Sequence, residues 1–176
     1  MRSYSAQRQL DLHRAARADP QVRMFDDIVP QANERSIYLS TTFSESRCHH
    51  NHFWHLACRE MLRKLCYLGL ILIPESRLPY GGNHNIQHMR WCSDALAQAS
   101  HLIFVIEKNQ NEQEVRQIIH QLGIVLGHKS VTSSQTILVS APNRRIPCPL
   151  TKYNLSVAGI PVFSNLHELL HHMTDI

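Results

Sequence analysis

Residues 90–107 read RWCSDALAQASHLIFVIE and contain the two elements around which the fold is organised. Apolar residues from Trp91 to Ala99 recur at helical spacing, which predicts an amphipathic helix. The next residues, 102–106, form an unbroken apolar run rich in β-branched side chains, which is typical of a strand buried on both faces. Ligands in open α/β sheets bind beyond the carboxyl ends of the strands. We therefore expect Glu107, which follows this run, at the edge of a binding site.

The composition indicates a globular core with a mildly basic charge. Of the 176 residues, 43% are hydrophobic, and the formal net charge is +4. This charge is compatible with an anionic ligand such as a nucleotide phosphate, but it is too weak to favour a nucleic-acid polymer as partner. The five cysteines are scattered without a CxxC pair, and no apolar run is long enough to span a membrane. The prediction is a reduced, cytoplasmic protein with no membrane partner.

Strand and helix patterns alternate after an N-terminal segment of different character. Residues 1–35 are predicted to be an N-terminal helical arm, with a helix at 3–18 and then an irregular stretch, and residues 36–176 to be the main domain. Strands are predicted at 36–40, 70–73, 102–106, 135–140 and 161–163, and helices at 51–68, 90–99, 112–126 and 165–173. Gly127 is expected to end the third helix, and residues 141–154, which contain three prolines, are expected to be a loop.

This alternation predicts an α/β fold with a parallel sheet covered by helices on both faces, in three layers. Five strands favour the flavodoxin-like order 2-1-3-4-5, which places a ligand over the carboxyl ends of the first, third and fourth strands. The polar residues that this topology gathers, and that we expect to contact a ligand, are Ser40, Thr41, Thr42, Asn109 and Asn143.

Hydroxyls and carboxylates in this region suggest two kinds of chemistry. The loop that begins at Ser40 can hold a phosphate or sugar, although an ordinary polar loop fits the same pattern, and no dinucleotide-binding fingerprint occurs. Glu107 and Glu114 are candidate nucleophiles or bases, and Asp94 is a candidate ligand for a sugar hydroxyl. The sequence is equally compatible with roles that involve no ligand. Glu114 would then be a surface acid stabilised by the helix dipole, and Asp94 would lie on a solvated helix face. The histidine-rich segment 48–55 matches no metal signature, so neither a metal nor a cofactor is assigned.

The order of the pieces resembles the nucleoside 2-deoxyribosyltransferase-like family. The matching segments are IYLSTTF, LILIPESR, MRWCSDALAQASHLIFVI, HQLGIVLGHKSV and the ending YNLSVAGIPVFSNLHELLHHM. The resemblance spans roughly residues 36–173. The resemblance implies a flavodoxin-like sheet, binding of a nucleoside or nucleotide, transfer or hydrolysis at the N-glycosidic bond, and a homo-oligomer whose subunits share sites.

The sequence departs from the family pattern at its acidic positions. The family glutamate that accepts the glycosyl group as a covalent ester aligns with Gln121, and an amide is a poor nucleophile. The acid after Trp91 aligns with Cys92, and a further aspartate aligns with Ser100. Glu114 lies seven residues before Gln121, so a helix would place both on one face.

Three functions remain open on the sequence. The first is a nucleoside- or nucleotide-binding domain without the standard catalytic glutamate, in which Gln121 hydrogen-bonds an intact ligand. The second is an active N-glycosidic hydrolase or transferase on a nucleoside, nucleotide or NAD, with Glu107 or Glu114 as the surrogate carboxylate. The third is a protein-interaction domain without a small ligand, whose arm at residues 1–35 docks a partner.

Overall fold

A computed structural model describes residues 21–24, 35–40, 62–63, 69–74, 85–108, 110, 112–129 and 135–174. The predicted helix at 3–18, most of the predicted helix at 51–68 and the hydroxyl-rich loop after Ser40 lie outside these ranges. Within them no helix is both long enough and apolar enough to cross a membrane.

The described residues form six strands, four α-helices and one 3-10 turn. The strands are β1 (Val22–Met24), β2 (Ser36–Ser40), β3 (Leu70–Ile73), β4 (His101–Val105), β5 (Thr136–Ser140) and β6 (Val162–Phe163). The helices are α1 (Asn85–Gln98), α2 (Glu112–Lys129), α3 (Pro149–Val157) and α4 (Leu166–Thr174), and the 3-10 turn is Pro142–Arg144.

The strands form one parallel sheet in the order β1-β3-β2-β4-β5-β6, which confirms the α/β class. The predicted number of five strands is wrong, because β1 pairs with β3 and extends the sheet beyond the five predicted strands. Residues 21–35 were expected to be irregular. Three residues are too few to show the alternation that reveals a longer strand, yet Val22 is buried opposite Ile71.

Side chains alternate between two apolar layers along each central strand. Tyr38 and Phe104 point to the layer that α1, α2 and α3 cover, whereas Leu39 and Ile103 point to the layer that α4 covers. Strands buried on both faces need apolar side chains at nearly every position, which explains the unbroken run in β4. Tyr38 is the largest fully buried side chain, and its hydroxyl brings a polar group into this layer.

Helix α3 corrects the prediction of a loop at 141–154. Pro149 stands in its first turn, where the missing N–H costs no hydrogen bond, so a proline-rich sequence can still begin a helix. The helix ends in a turn in which the N–H of Ile160 donates to the carbonyl of Leu155 at 2.9 Å. Gly159 provides the left-handed residue of this turn, with φ 64°.

Helix α2 continues past its predicted end. We expected Gly127 to stop it, but the helix extends to Lys129. Glycine ends a helix when it adopts a left-handed conformation, and Gly127 does not have a positive φ. The prediction therefore mistook an interior glycine for a stop signal.

Candidate functional site

The topological switch point of the sheet lies between β2 and β4. The chain moves from β2 to β3 on one side and later returns to β4 on the other side of β2. At such a point the connections leave in opposite directions and open a crevice at the carboxyl ends of the two strands. Ser40 is the last residue of β2, opposite Phe104 of β4. Glu107 follows β4 by two residues.

Gln121 of α2 reaches the carboxyl end of β2. Its amide oxygen accepts hydrogen bonds from the hydroxyl of Ser40 at 2.5 Å and from the hydroxyl of Tyr38 at 3.4 Å. Tyr38 and Ser40 are two positions apart, so both side chains lie on the same face of the strand. The buried residues Ile118 and Leu122 anchor this part of α2 against that face. The structure thus brings together Ser40 and Gln121, two of the predicted ligand residues.

Cys92 of α1 completes a polar group within an otherwise apolar layer. A hydrogen bond joins its thiol to the Tyr38 hydroxyl. Burial raises the pKa of Cys92 to about 11, although the bond to Tyr38 opposes this shift. Burial also raises the pKa of Tyr38, with Cys92 adding to the effect. Both groups are therefore neutral at physiological pH, and Cys92 does not act as a thiolate nucleophile. We call Tyr38, Ser40, Cys92 and Gln121 the Tyr38 cluster.

The oxygen and the nitrogen of the Gln121 side-chain amide differ in their hydrogen bonds. Its amide oxygen accepts two hydrogen bonds, whereas its amide nitrogen makes none to the part of the chain that the structure describes. The side chain is half-buried. An amide NH₂ group carries two hydrogen-bond donors, which suit an acceptor on a bound molecule.

Glu107 is half-buried beyond the end of β4, and burial raises the pKa of its carboxyl. Gln110 fixes this turn, because its side-chain oxygen accepts the main-chain N–H of Glu107 at 2.9 Å. The side-chain nitrogen of Gln110 donates to the carbonyl of Val105 at 3.5 Å. We did not predict Gln110 as a site residue. No sequence motif contains it, and only its short distance from the end of β4 connects it with the site.

Asn143 lies at the same edge of the sheet but after β5, two strands away from β2. Asn143 and Arg144 both adopt left-handed backbone angles, with φ of 53° and 55°. The guanidinium of Arg144 pairs with the carboxylate of Glu168. That carboxylate also accepts hydrogen bonds from Ser164, and these, together with Arg144, lower the pKa of Glu168. Asn143 is exposed.

The remaining predicted residues are spread over the fold. Asp94 is exposed on α1. Glu114 lies in the first turn of α2. Ser100 lies at the opposite, amino-terminal edge of the sheet, where its hydroxyl donates to the carbonyl of Ser36 at 2.8 Å. Thr41, Thr42, Asn109 and the histidine-rich segment 48–55 fall outside the described residues.

No group of three or more potential metal ligands occurs in the ranges that the structure describes. No family model matches the sequence, and no curated protein matches it significantly.

Proposed function

We propose that this chain binds a nucleoside or nucleotide at the carboxyl ends of β2 and β4, without the glutamate that would cleave it. The observation that carries the proposal is the hydrogen bond between Gln121 and Ser40 at the topological switch point. It holds an amide and a hydroxyl at the place where parallel sheets bind ligands. Groups of this kind recognise the hydroxyls of a sugar and the polar edge of a base.

The resemblance to the deoxyribosyltransferase-like family gains support from the Tyr38 cluster. The family carries acids at the positions that align with Cys92 and Gln121. These two residues are 29 positions apart, yet both hydrogen-bond the same tyrosine, Tyr38. Acidic residues that act together in the family's site are expected to lie close together. Cys92 and Gln121, which replace those acids here, do lie close together.

The same cluster favours binding over catalysis. Covalent glycosyl transfer needs a carboxylate that attacks the anomeric carbon. Gln121 is an amide, and its oxygen already accepts two hydroxyl donors. Cys92 is neutral because its buried thiol has a raised pKa. Neither residue can supply the negative charge that the covalent step requires.

The first experiment measures binding by thermal shift and calorimetry with nucleosides, nucleotides and NAD. We expect one class of these compounds to raise the melting temperature. Ser40→Ala and Gln121→Ala should each weaken that ligand about tenfold or more, the loss of one to two hydrogen bonds. Gln117→Ala is the matched control, because Gln117 is exposed one turn earlier on α2. Absence of any shift, or equal binding by all four proteins, would contradict the proposal.

Gln121→Glu tests the alignment with the family glutamate. The new carboxylate would attack the anomeric carbon as the bond to the base breaks, and the base would leave with the electron pair and take up a proton. Water would then hydrolyse the glycosyl ester. Release of free base by Gln121→Glu, with none by the wild type or by Gln117→Glu, is the expected result.

An active N-glycosidase is the second candidate, and Glu107 is the observation that favours it. A half-buried carboxyl with a raised pKa suits proton transfer. In this reaction Glu107 would take a proton from water as the oxygen attacks the anomeric carbon, and the base would leave with the bonding electrons. Base release by the wild type that disappears in Glu107→Gln would establish this function instead of binding alone.

A further inference from the structure

Helix α4 carries the sequence HELLH at residues 167–171, and the proposed ligand site uses none of these residues. Two histidines four residues apart on a helix, with a glutamate after the first, form the zinc-binding pattern HExxH. So short a pattern is informative only where a helix brings both histidines to one face. The structure meets this condition, because α4 is helical from Leu166 to Thr174.

His167 and His171 lie side by side at the surface of α4. Their ring centroids are 6.5 Å apart, and the ring planes form an angle of 76°. Both residues are exposed. A different side of the helix buries Leu169 and Leu170 in the apolar layer beneath it. The core therefore holds the helix in place, and the helix backbone sets the spacing of the two imidazoles.

The separation of the two rings suits a shared metal ion. Imidazole nitrogens lie about 2.0–2.1 Å from a bound zinc ion, which places the centroids of two ligating rings about 5 Å apart. Rotation of the exposed His167 side chain about its Cα–Cβ bond can close the remaining distance without moving a buried group. The pair can therefore chelate one ion without a change in the backbone of α4.

Glu168, the acid of the pattern, makes its contacts away from the two histidines. Its carboxylate accepts the main-chain N–H of Ser164 at 2.8 Å and pairs with the guanidinium of Arg144. In HExxH hydrolases the glutamate is the general base that activates the metal-bound water. Here the carboxylate instead holds the start of α4, which favours metal binding without hydrolysis.

The pair has no third protein ligand in the part of the chain that the structure describes. No histidine, cysteine or acid joins His167 and His171 there in a group of three. The nearby His172 packs its ring against Phe163, with centroids 5.1 Å apart. Zinc is usually four-coordinate, and water fills the positions that the protein leaves open.

We propose that His167 and His171 bind a zinc ion, whose remaining coordination positions are open to water or a small ligand. Imidazole nitrogens suit zinc and neighbouring transition metals, whereas Mg²⁺ and Ca²⁺ prefer oxygen ligands. The site lies on α4, across the sheet from Gln121 of α2. It is therefore separate from the proposed nucleoside site, and its test does not depend on that proposal.

Calorimetry of the full chain with ZnCl₂ at neutral pH tests the ligand pair. The chain has 13 histidines, so the decisive quantity is the difference between variants. His167→Gln and His171→Gln should each weaken one binding event at least about tenfold, because losing even a group that only supports a ligand costs about 10–100-fold. His172→Gln is the matched control and should keep the wild-type isotherm. No zinc binding by the wild type, or equal binding by all four proteins, would overturn the proposal.

Hydrogen exchange shows where on the chain the ion binds. Zinc that links His167 and His171 must be released when α4 unfolds, so it should slow amide exchange in this helix. At a zinc concentration about ten times the Kd, exchange in α4 should slow about tenfold in the wild type and in His172→Gln, but not in His167→Gln. Slowing elsewhere in the chain, with none in α4, would overturn the proposal, because other residues would then hold the ion. Equal slowing by Mg²⁺ would also overturn it.

Discussion

The side-chain nitrogen of Gln135 lies 2.8 Å from the carbonyl oxygen of Ala99, 36 residues away in the sequence. The same nitrogen donates to the carbonyls of Leu96 at 2.8 Å and of Ala97 at 3.2 Å. Leu96 and Ala97 belong to the last turn of α1, and Ala99 follows directly after it. The carbonyls of a helix's last turn have no acceptor role within the helix itself. One side chain just before β5 therefore caps a helix and ties it to the neighbouring strand.

We predict that Gln135→Met lowers the free energy of unfolding by about 1–2 kcal/mol. Methionine keeps most of the volume but leaves several helix carbonyls without a donor. Urea denaturation measures the loss. Gln117→Met changes an exposed glutamine on α2 in the same way and should leave the midpoint unchanged. Equal stability of the two variants would mean that water satisfies these carbonyls without cost.

The left-handed backbone at Asn143 predicts a strong dependence on residue type. Asparagine tolerates φ near 53°, glycine tolerates it better, and a β-branched residue is disfavoured there by about 1–2 kcal/mol. Thermal denaturation should therefore rank Asn143→Gly at or above the wild type and Asn143→Val clearly below it. Because Asn143 is exposed, lost packing cannot produce this order. A stable Asn143→Val variant would show that the turn changes its conformation freely.

The environment of His101 predicts lower stability in acid. Burial, together with the positive charge of Arg35, lowers the pKa of His101 below its ordinary value of 6.5. The folded state therefore resists a proton that the unfolded chain accepts, and stability falls as the pH decreases below about 6.5. A single such group contributes a slope of at most about 1.4 kcal/mol per pH unit. His101→Gln should reduce this slope between pH 7 and 5, and an unchanged slope would contradict the role of His101.

Glu107 predicts the opposite dependence on pH. Burial raises its pKa, so the folded state holds a proton that the unfolded chain releases. This contribution is fully present below the unfolded pKa of about 4.5 and is lost as the pH rises through the folded pKa. Glu107→Gln should therefore be more stable than the wild type at pH 7, and the difference should vanish near pH 4. A less stable variant at pH 7 would show that the charged carboxylate stabilises the fold.

The central strands were predictable because burial on both faces imposes a pattern on consecutive residues. The apolar runs of β3 and β4 show this pattern directly. In contrast, β1 has three residues, and its place in the sheet depends on pairing with β3, which no local pattern encodes. Helix α3 was missed because its first turn contains Pro149, a residue that also breaks helices. Local sequence rules failed here because proline occurs in the first turn of helices but also breaks a helix at interior positions.

The candidate site was predictable only in part, because its contacts span long distances in the sequence. The end of β2 indicated Ser40, and the family resemblance indicated Gln121, but their hydrogen bond joins positions 81 residues apart. The sequence predicted Tyr38 only as part of a buried strand, with no role in the site. A tyrosine in an apolar strand, two positions before a terminal serine, was the available sign of a polar cluster on that face.

Among the residues that the structure describes, the two outermost strands of the sheet are also the shortest. Strand β1 has three residues and β6 has two, whereas the strands between them have four or five. An edge strand exposes unpaired N–H and C=O groups that can template growth by a strand from another molecule, and aggregation often begins there. Such short edges offer little length for this pairing. The sheet should therefore withstand high concentrations during purification without assembling edge to edge into fibrils.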